Sequence, residues 1–369
     1  MINYRHTDLL LALLRLALWA DKEPFLALSP VSPEEWQAAY NLAACHAVTG
    51  VAWQGICQLD AAELPPTELL CIWTAKATAL EKSSERMNQV LSALMERLGS
   101  AGLRPVVMKG QTVAALYPKP LLRETGDIDL YFPERADMDA CISALEPAAA
   151  SPDGSYRARY MGVEVEINPT LIDLTSGRKT RSVSASIAPE QFVEVDAAPG
   201  LRLRASAPQV NLLLLSSHIL KHTFGRGIGL RQMCDLAMAC RAYRGKIDPA
   251  HQARASRRMG LRAWDRHLYS FLVRQLGMPT EYVPYKIRLS KSHTLSQRVL
   301  LGGNFGRMVY SPSANSVKSK GVTALSLLRS SLWSLRIAPR KYLKCISSLA
   351  IGQFRLLKPS QKSKVKSQE

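Results

Sequence analysis

The sequence predicts a mixed α+β fold, in which a small mixed sheet with helices is flanked by helical regions on both sides. Three observations point there. Residues 1–100 and 206–285 carry apolar side chains at helical spacing, whereas residues 101–205 break into short β-prone runs separated by turn residues. The last segment, 286–369, is rich in Ser, Lys and Arg and nearly free of acids. A chain of 369 residues with 47% hydrophobic and 21% charged side chains has enough apolar surface for a core, which excludes wholesale disorder.

Taken in order, Leu9–Ala20 is an apolar run too short to cross a bilayer and interrupted by Arg15. It fits a buried or partly buried helix better than a signal segment. Ser32 is placed to cap a helix opened by Pro33, Glu34 and Glu35 and running to about Ala47. Thr67–Leu98 contains no Gly or Pro, and Leu70, Trp73, Ala77, Leu80, Met87, Leu91 and Leu94 keep a helical spacing that Gly99 and Gly102 stop. Strands are then expected at Arg104–Met108 and Ile128–Phe132, and as a pair at Tyr156–Tyr160 and Val163–Ile167 turned by Met161-Gly162. Helical patterns fill Gln111–Leu116, Arg135–Leu145, Asn211–Phe224, Leu230–Tyr243 and about Leu261–Leu276. In the extension, Leu325–Ile337 and Tyr342–Leu357 fit basic amphipathic helices divided by Pro339.

The net charge of +18 is unevenly placed. From Glu281 to Glu369 there are 17 Lys/Arg against 2 acids, leaving 31 against 28 in the body. A nearly neutral body argues against a nucleic-acid-binding surface on the main fold and for a basic appendage. Within the extension, Arg336, Arg340, Lys341, Lys344, Arg355 and Lys358 alternate with Leu332, Trp333, Leu335, Tyr342, Ile346 and Phe354. That pattern suits an anionic membrane surface, RNA or an acidic partner protein, or else a solvated tail. The seven cysteines include no C-x-x-C pair and fit mostly buried thiols in a reducing, cytoplasmic setting.

The chemistry concentrates between Val106 and Phe132. On a strand, residues two apart share a face, so Asp127-Ile128-Asp129 offers two carboxylates together while Ile128 enters the core. Two such groups repel unless a cation lies between them, and a hard divalent ion with a substrate phosphate is the common solution. Lys109-Gly110 ends a short strand just before a helix, where glycine lets backbone approach a phosphate. Lys109 itself reads as a phosphate ligand or as an exposed turn lysine. Arg123 reads as a phosphate fork or as an ion-pair partner of Glu124 or the aspartates. Downstream, Glu164 and Glu166 share one strand face, and one of them can complete a two-metal constellation with the aspartates. His218 and His222 share a helix face, as cleft residues or as core histidines, and their spacing lacks the glutamate of a zinc-protease motif. Arg231 and Asp235, also four apart, fit an intrahelical ion pair or a lining of the cleft.

Lys109-Gly110, Tyr117-Pro118, Arg123 and Gly126-Asp-Ile-Asp-Leu130 together resemble the motif of the uncharacterised nucleotidyltransferases, a family of the DNA polymerase beta-like nucleotidyltransferase superfamily. The resemblance extends over roughly 30–280. It takes in Trp36, Leu42, His46 and Gly50, the strand Val163–Asn168, and the helical segments His218–His222 and Gly227–Asp235. It implies a nucleotidyltransferase-like fold and Mg²⁺ (or Mn²⁺)-dependent transfer of a nucleoside monophosphate from an NTP, with ATP the expected donor, to an unknown acceptor. Carried over by position, Asp127 and Asp129 match the metal-binding pair and Glu166 the third acid. Two departures stand out: Lys109-Gly110-Gln111 replaces the superfamily's Gly-Ser, and Asn168 stands where the family's histidine often sits. A catalytically weak or inactive regulator or scaffold, attached to a membrane by its tail, is the alternative reading.

Overall fold

The computed structural model describes residues 5–145, 147–151, 154–172, 191–224, 227–291, 293–303, 331, 333–339 and 342–343. The N-terminal part is built from α1 (Arg5–Trp19), α2 (Glu23–Leu26), α3 (Pro33–Cys45), α4 (Thr49–Ile56) and the long α5 (Thr67–Ser100). Ser32 caps α3 as its sequence context predicts. Its Oγ accepts from the Glu35 amide at 3.2 Å while Glu35 Oε2 accepts from the Ser32 amide at 2.9 Å. In α1 every residue from Leu9 to Leu14 is buried. The interrupting Arg15 donates to the carbonyls of Arg274 and Gln275 at 2.5 and 3.0 Å, so its charge satisfies a distant helix end.

Five short strands follow: β1 (Val106–Met108), β2 (Ile128–Tyr131), β3 (Ala149–Ala150), β4 (Tyr156–Tyr160) and β5 (Val163–Asn168). They form a mixed sheet of order β1-β2-β5-β4-β3, in which only the β2–β5 pair is parallel. Helices α6 (Gly110–Ala114) and α7 (Arg135–Ala144) sit between strands. The expected pair β4–β5 turns at Met161-Gly162, both with positive φ. A second hairpin, β6 (Phe192–Ala198) and β7 (Leu201–Ser206), lies against β1. The chain continues through α8 (Pro208–Phe224), α9 (Leu230–Ala242), α10 (Pro249–Arg258), α11 (Arg262–Arg274) and α12 (Thr294–Gly302). The mixed α+β class predicted from the sequence is therefore observed.

Alternation along the strands divides the molecule into two cores. Val107, Ile128, Leu130, Val165 and Ile167 point to one side of the sheet and pack with Leu91, Leu94 and Leu98 of α5 and Met138 and Cys141 of α7. Val106, Met108 and Tyr131 point to the other side and join the helical core, which runs from α1 and α4 to α8, α9 and α11. The strand residues that register with this second set, Asp129 and Glu166, therefore face the C-terminal helices.

Of the extension, the described part packs inward. Ile337, Ala338 and Tyr342 belong to the helical core, with Tyr342 edge-on to Phe224 at 5.6 Å between ring centres. Arg298 lies over the Trp333 ring at 4.7 Å. Trp333 and Tyr342, whose pattern fits an anionic membrane, RNA, an acidic partner or a solvated tail, contact other side chains of the protein; most of Tyr342–Leu357 and all of 344–369 lie outside the described residues. Among the described residues no helix is long and apolar enough to cross a membrane. Of the six cysteines described, Cys141, Cys234 and Cys240 are buried, Cys45 is half-buried, and Cys57 and Cys71 are exposed.

Candidate active site

Asp127 ends the loop that enters β2, and Asp129 lies within the strand. The parallel register sets Glu166 directly beside Asp129. Asp127, Asp129 and Glu166 each present an oxygen within 4.8 Å of the others. Asp129 is buried, and this raises its pKa, an effect that Asp127 adds to and Lys109 opposes. Burial followed by the charge of Asp129 likewise raises the pKa of Glu166. The three oxygens form a hard, anionic donor set suited to Mg²⁺ or Mn²⁺.

The neighbours hold these acids in place. Lys109 Nζ lies 3.0 Å from Asp129 Oδ2, so the lysine is an ion-pair partner rather than an exposed turn residue. Its own backbone has φ +56°, unusual for a residue with a side chain, and Gly110 follows at φ +51°. The Asn168 side-chain amide donates to Asp129 Oδ1 at 3.2 Å. Asn168 thus steadies the acid from the end of β5. On the far side, Arg157 lies 4.0 Å from Glu166 and 3.5 Å from Glu164. Glu164 is half-buried, paired with Arg157 and outside the cluster. Ser155 also hydrogen-bonds Glu166. Neither Ser155 nor Arg157 was singled out from the sequence, yet the two-residue turn at Met161-Gly162 fixes Arg157 opposite Glu166.

The loop feeding β2 is clamped from both helical parts. Arg123 departs from the expected phosphate fork. Its Nε and Nη2 donate to the two oxygens of Asp235 at 2.9 and 2.7 Å, and Tyr117 Oη donates to the same carboxylate at 2.8 Å. Arg123 and Asp235 are both buried, so the pair is structural, and the Arg231–Asp235 helix pair expected from spacing is not formed. From the N-terminal side, the Thr49 amide donates to Glu124 Oε1 at 3.0 Å. A Cβ on Gly50 would lie 2.1 Å from the Leu122 carbonyl oxygen, so only glycine allows α4 this close. His46 completes the clamp: its Nδ1 accepts from the Leu230 amide at 3.3 Å and its carbonyl from the Arg231 amide at 3.4 Å, satisfying the start of α9.

Arg231 donates through Nη1 to the Glu124 carbonyl at 3.1 Å, beside Gly126. His218 is partly buried on α8, and burial, followed by the charge of Lys109, holds its pKa well below the ordinary imidazole value. His222 sits edge-on to it, with ring centres 4.4 Å apart. Through His218 the histidine pair lies within electrostatic reach of Lys109 and Arg231, and it is not part of the acidic cluster. A surface concavity lined by Ala115, Pro120 and residues 196–202 contains none of the clustered acids. The chemistry of the donor set, not the depth of a hollow, marks the site.

No curated protein and no solved structure matches the chain. A family model described as uncharacterised nucleotidyltransferase matches residues 32–271, from the Ser32 cap through α11 and across every residue of the acidic cluster and its clamp. With well over half its length inside that match, the chain belongs to the uncharacterised nucleotidyltransferase family.

Proposed function

We propose that the protein transfers a nucleoside monophosphate from an NTP, with ATP the expected donor, to a hydroxyl acceptor. The observation that carries this reading is the meeting of Asp127, Asp129 and Glu166, whose oxygens lie within 4.8 Å of one another. Magnesium or manganese held by these three carboxylates would supply Lewis-acid polarisation and neutralise charge on the phosphates. Asn168 and Lys109 keep Asp129 in one rotamer, and Ser155 with Arg157 does the same for Glu166. Glu166 is also placed beside the two aspartates to take the acceptor's proton at a side-chain oxygen. The acceptor oxygen would then bond to the α-phosphorus as the bond to pyrophosphate breaks, with Lys109 near enough to offset charge on the phosphates.

One observation favours a second reading. Lys109 and Asn168 already engage the two oxygens of Asp129, so an ammonium stands where a cation would otherwise be needed. A protein that kept this internal pair permanently would be a regulator or scaffold of nucleotidyltransferase fold, with its basic extension meeting an acidic partner or an anionic membrane. The two readings separate when the full-length protein is incubated with labelled NTPs, Mg²⁺ or Mn²⁺ and cell extract, beside an Asp127→Ala/Asp129→Ala variant. Label moved to an acceptor by the wild type and not by the variant supports the enzyme. Label that survives the double change, or a wild type that never binds NTP with the metal, sinks it.

A further inference from the structure

Two guanidinium groups approach the loop before β2, and they are provided for differently. Arg123 has a bidentate carboxylate. Arg231 has none: among the described residues it forms no ion pair, its Nη1 is held by the Glu124 carbonyl, and its Nε is enclosed without a hydrogen-bond partner. The residue as a whole is partly buried rather than fully enclosed. A desolvated cation without a counter-ion is costly, and Arg123 beside it adds repulsion. Asp235, the nearest acid on its own helix, is committed to Arg123 and Tyr117. Glu124 uses a side-chain oxygen on the Thr49 amide. The remaining acid in electrostatic reach is Asp127, itself a member of the metal cluster, and the other neighbour, His218, is held neutral by burial and surrounding cations.

We infer that Arg231, and not Arg123, is the arginine that binds the polyphosphate of the nucleotide, reaching from the first turn of α9 to the Asp127 side of the acidic cluster. This rests on the nucleotidyl-transfer reading and adds to it the source of the phosphate fork. An anion seated there would lie between a guanidinium and the divalent ions, so both its charge and its bidentate geometry would be matched. Arg231 is kept from collapsing onto Asp235 because Arg123 already fills that carboxylate. The structural pair therefore leaves the second arginine available.

The test is calorimetric titration of the full-length protein with each NTP and its monophosphate in Mg²⁺, for wild type, Arg231→Gln and Arg231→Lys. Arg231→Gln should weaken the preferred triphosphate by roughly 10–100-fold and the monophosphate by less than about threefold, with Arg231→Lys between. Inorganic tripolyphosphate with Mg²⁺ should raise the melting temperature of the wild type and not that of Arg231→Gln. A folded Arg231→Gln that binds the triphosphate as the wild type does, or that loses both nucleotides equally, overturns the assignment alone. A wild type that binds no triphosphate removes the parent reading with it. Should Arg231→Gln not fold, an Arg231→Lys protein with unaltered triphosphate affinity and tripolyphosphate shift overturns it as well.

Discussion

Asp235, on α9, and the cluster of Asp127, Asp129 and Glu166 meet one short loop at its two ends, through Arg123 and Asp127, and have opposite charge balance. Asp235 is fully matched, with a guanidinium on both oxygens and a tyrosine hydroxyl added. The cluster brings three carboxylates to one point with fewer partners: one ammonium and one amide on Asp129, and on Glu166 a serine hydroxyl and a guanidinium no nearer than 4.0 Å. A matched buried charge fixes a loop, whereas an unmatched set is held ready for something that arrives. The fold needs the first in order to position the second, because Arg123 ties the chain down four residues before Asp127.

The comparison is tested most severely at Asp235. Asp235→Ala would strand a buried guanidinium and is expected to cost about 3–5 kcal/mol of stability, measured by denaturant unfolding. Survival at wild-type stability would show that the pair is not structural. The clamp has its own test at His46. Burial lowers its pKa to about 4 from an ordinary 6.5, so the unfolded chain takes up the proton first. The stability this provides is complete above pH 6.5 and is lost as pH falls toward 4, by about 3 kcal/mol. His46→Asn keeps an acceptor for the Leu230 amide and cannot titrate. Its stability should fall less than that of the wild type over that window, and equal slopes would remove His46 from the acid limb.

How much of this was legible in the sequence depended on whether the signal was local. Ser32, the Met161-Gly162 turn and the Asp-Ile-Asp alternation act within a few residues, and each was readable. The bond from Arg123 to Asp235 joins positions 112 residues apart with no local pattern, and spacing alone favoured the wrong partner, Arg231. Helix α4 falls in a region that reads as helical, but its own bounds are not marked, because Gly50 and Gly55 lower helix propensity. Both are there for close approach, to the carbonyls of Leu122 and Leu13. Helix α10 buries only Gln252 and Ser256, so it shows no apolar stripe. The β6–β7 hairpin does carry a local signal, the Pro199-Gly200 turn between alternating runs.

The acidic cluster should respond in the opposite sense to Asp235. Added Mg²⁺ or Mn²⁺ should stabilise the wild type, by about 2.7 kcal/mol at a hundred times Kd, and leave an Asp127→Asn/Asp129→Asn protein unmoved. Equal stabilisation of both would place the ion elsewhere. The smallest effect is the most diagnostic. The folded-state pKa values of Asp129 and Glu166 are raised, so their contribution to stability is present below the unfolded carboxylate pKa and is lost as pH rises through the folded values. At neutral pH without metal, both acids therefore weaken the fold. Glu166→Gln removes one of the repelling charges and should leave the metal-free protein as stable as the wild type or better by less than about 1 kcal/mol, since Glu166 is partly screened by solvent. Thermal unfolding in chelator reads this directly. A clear loss of stability would mean that Glu166 is matched in the metal-free protein after all, as Asp235 is, and would put it with the structural carboxylates.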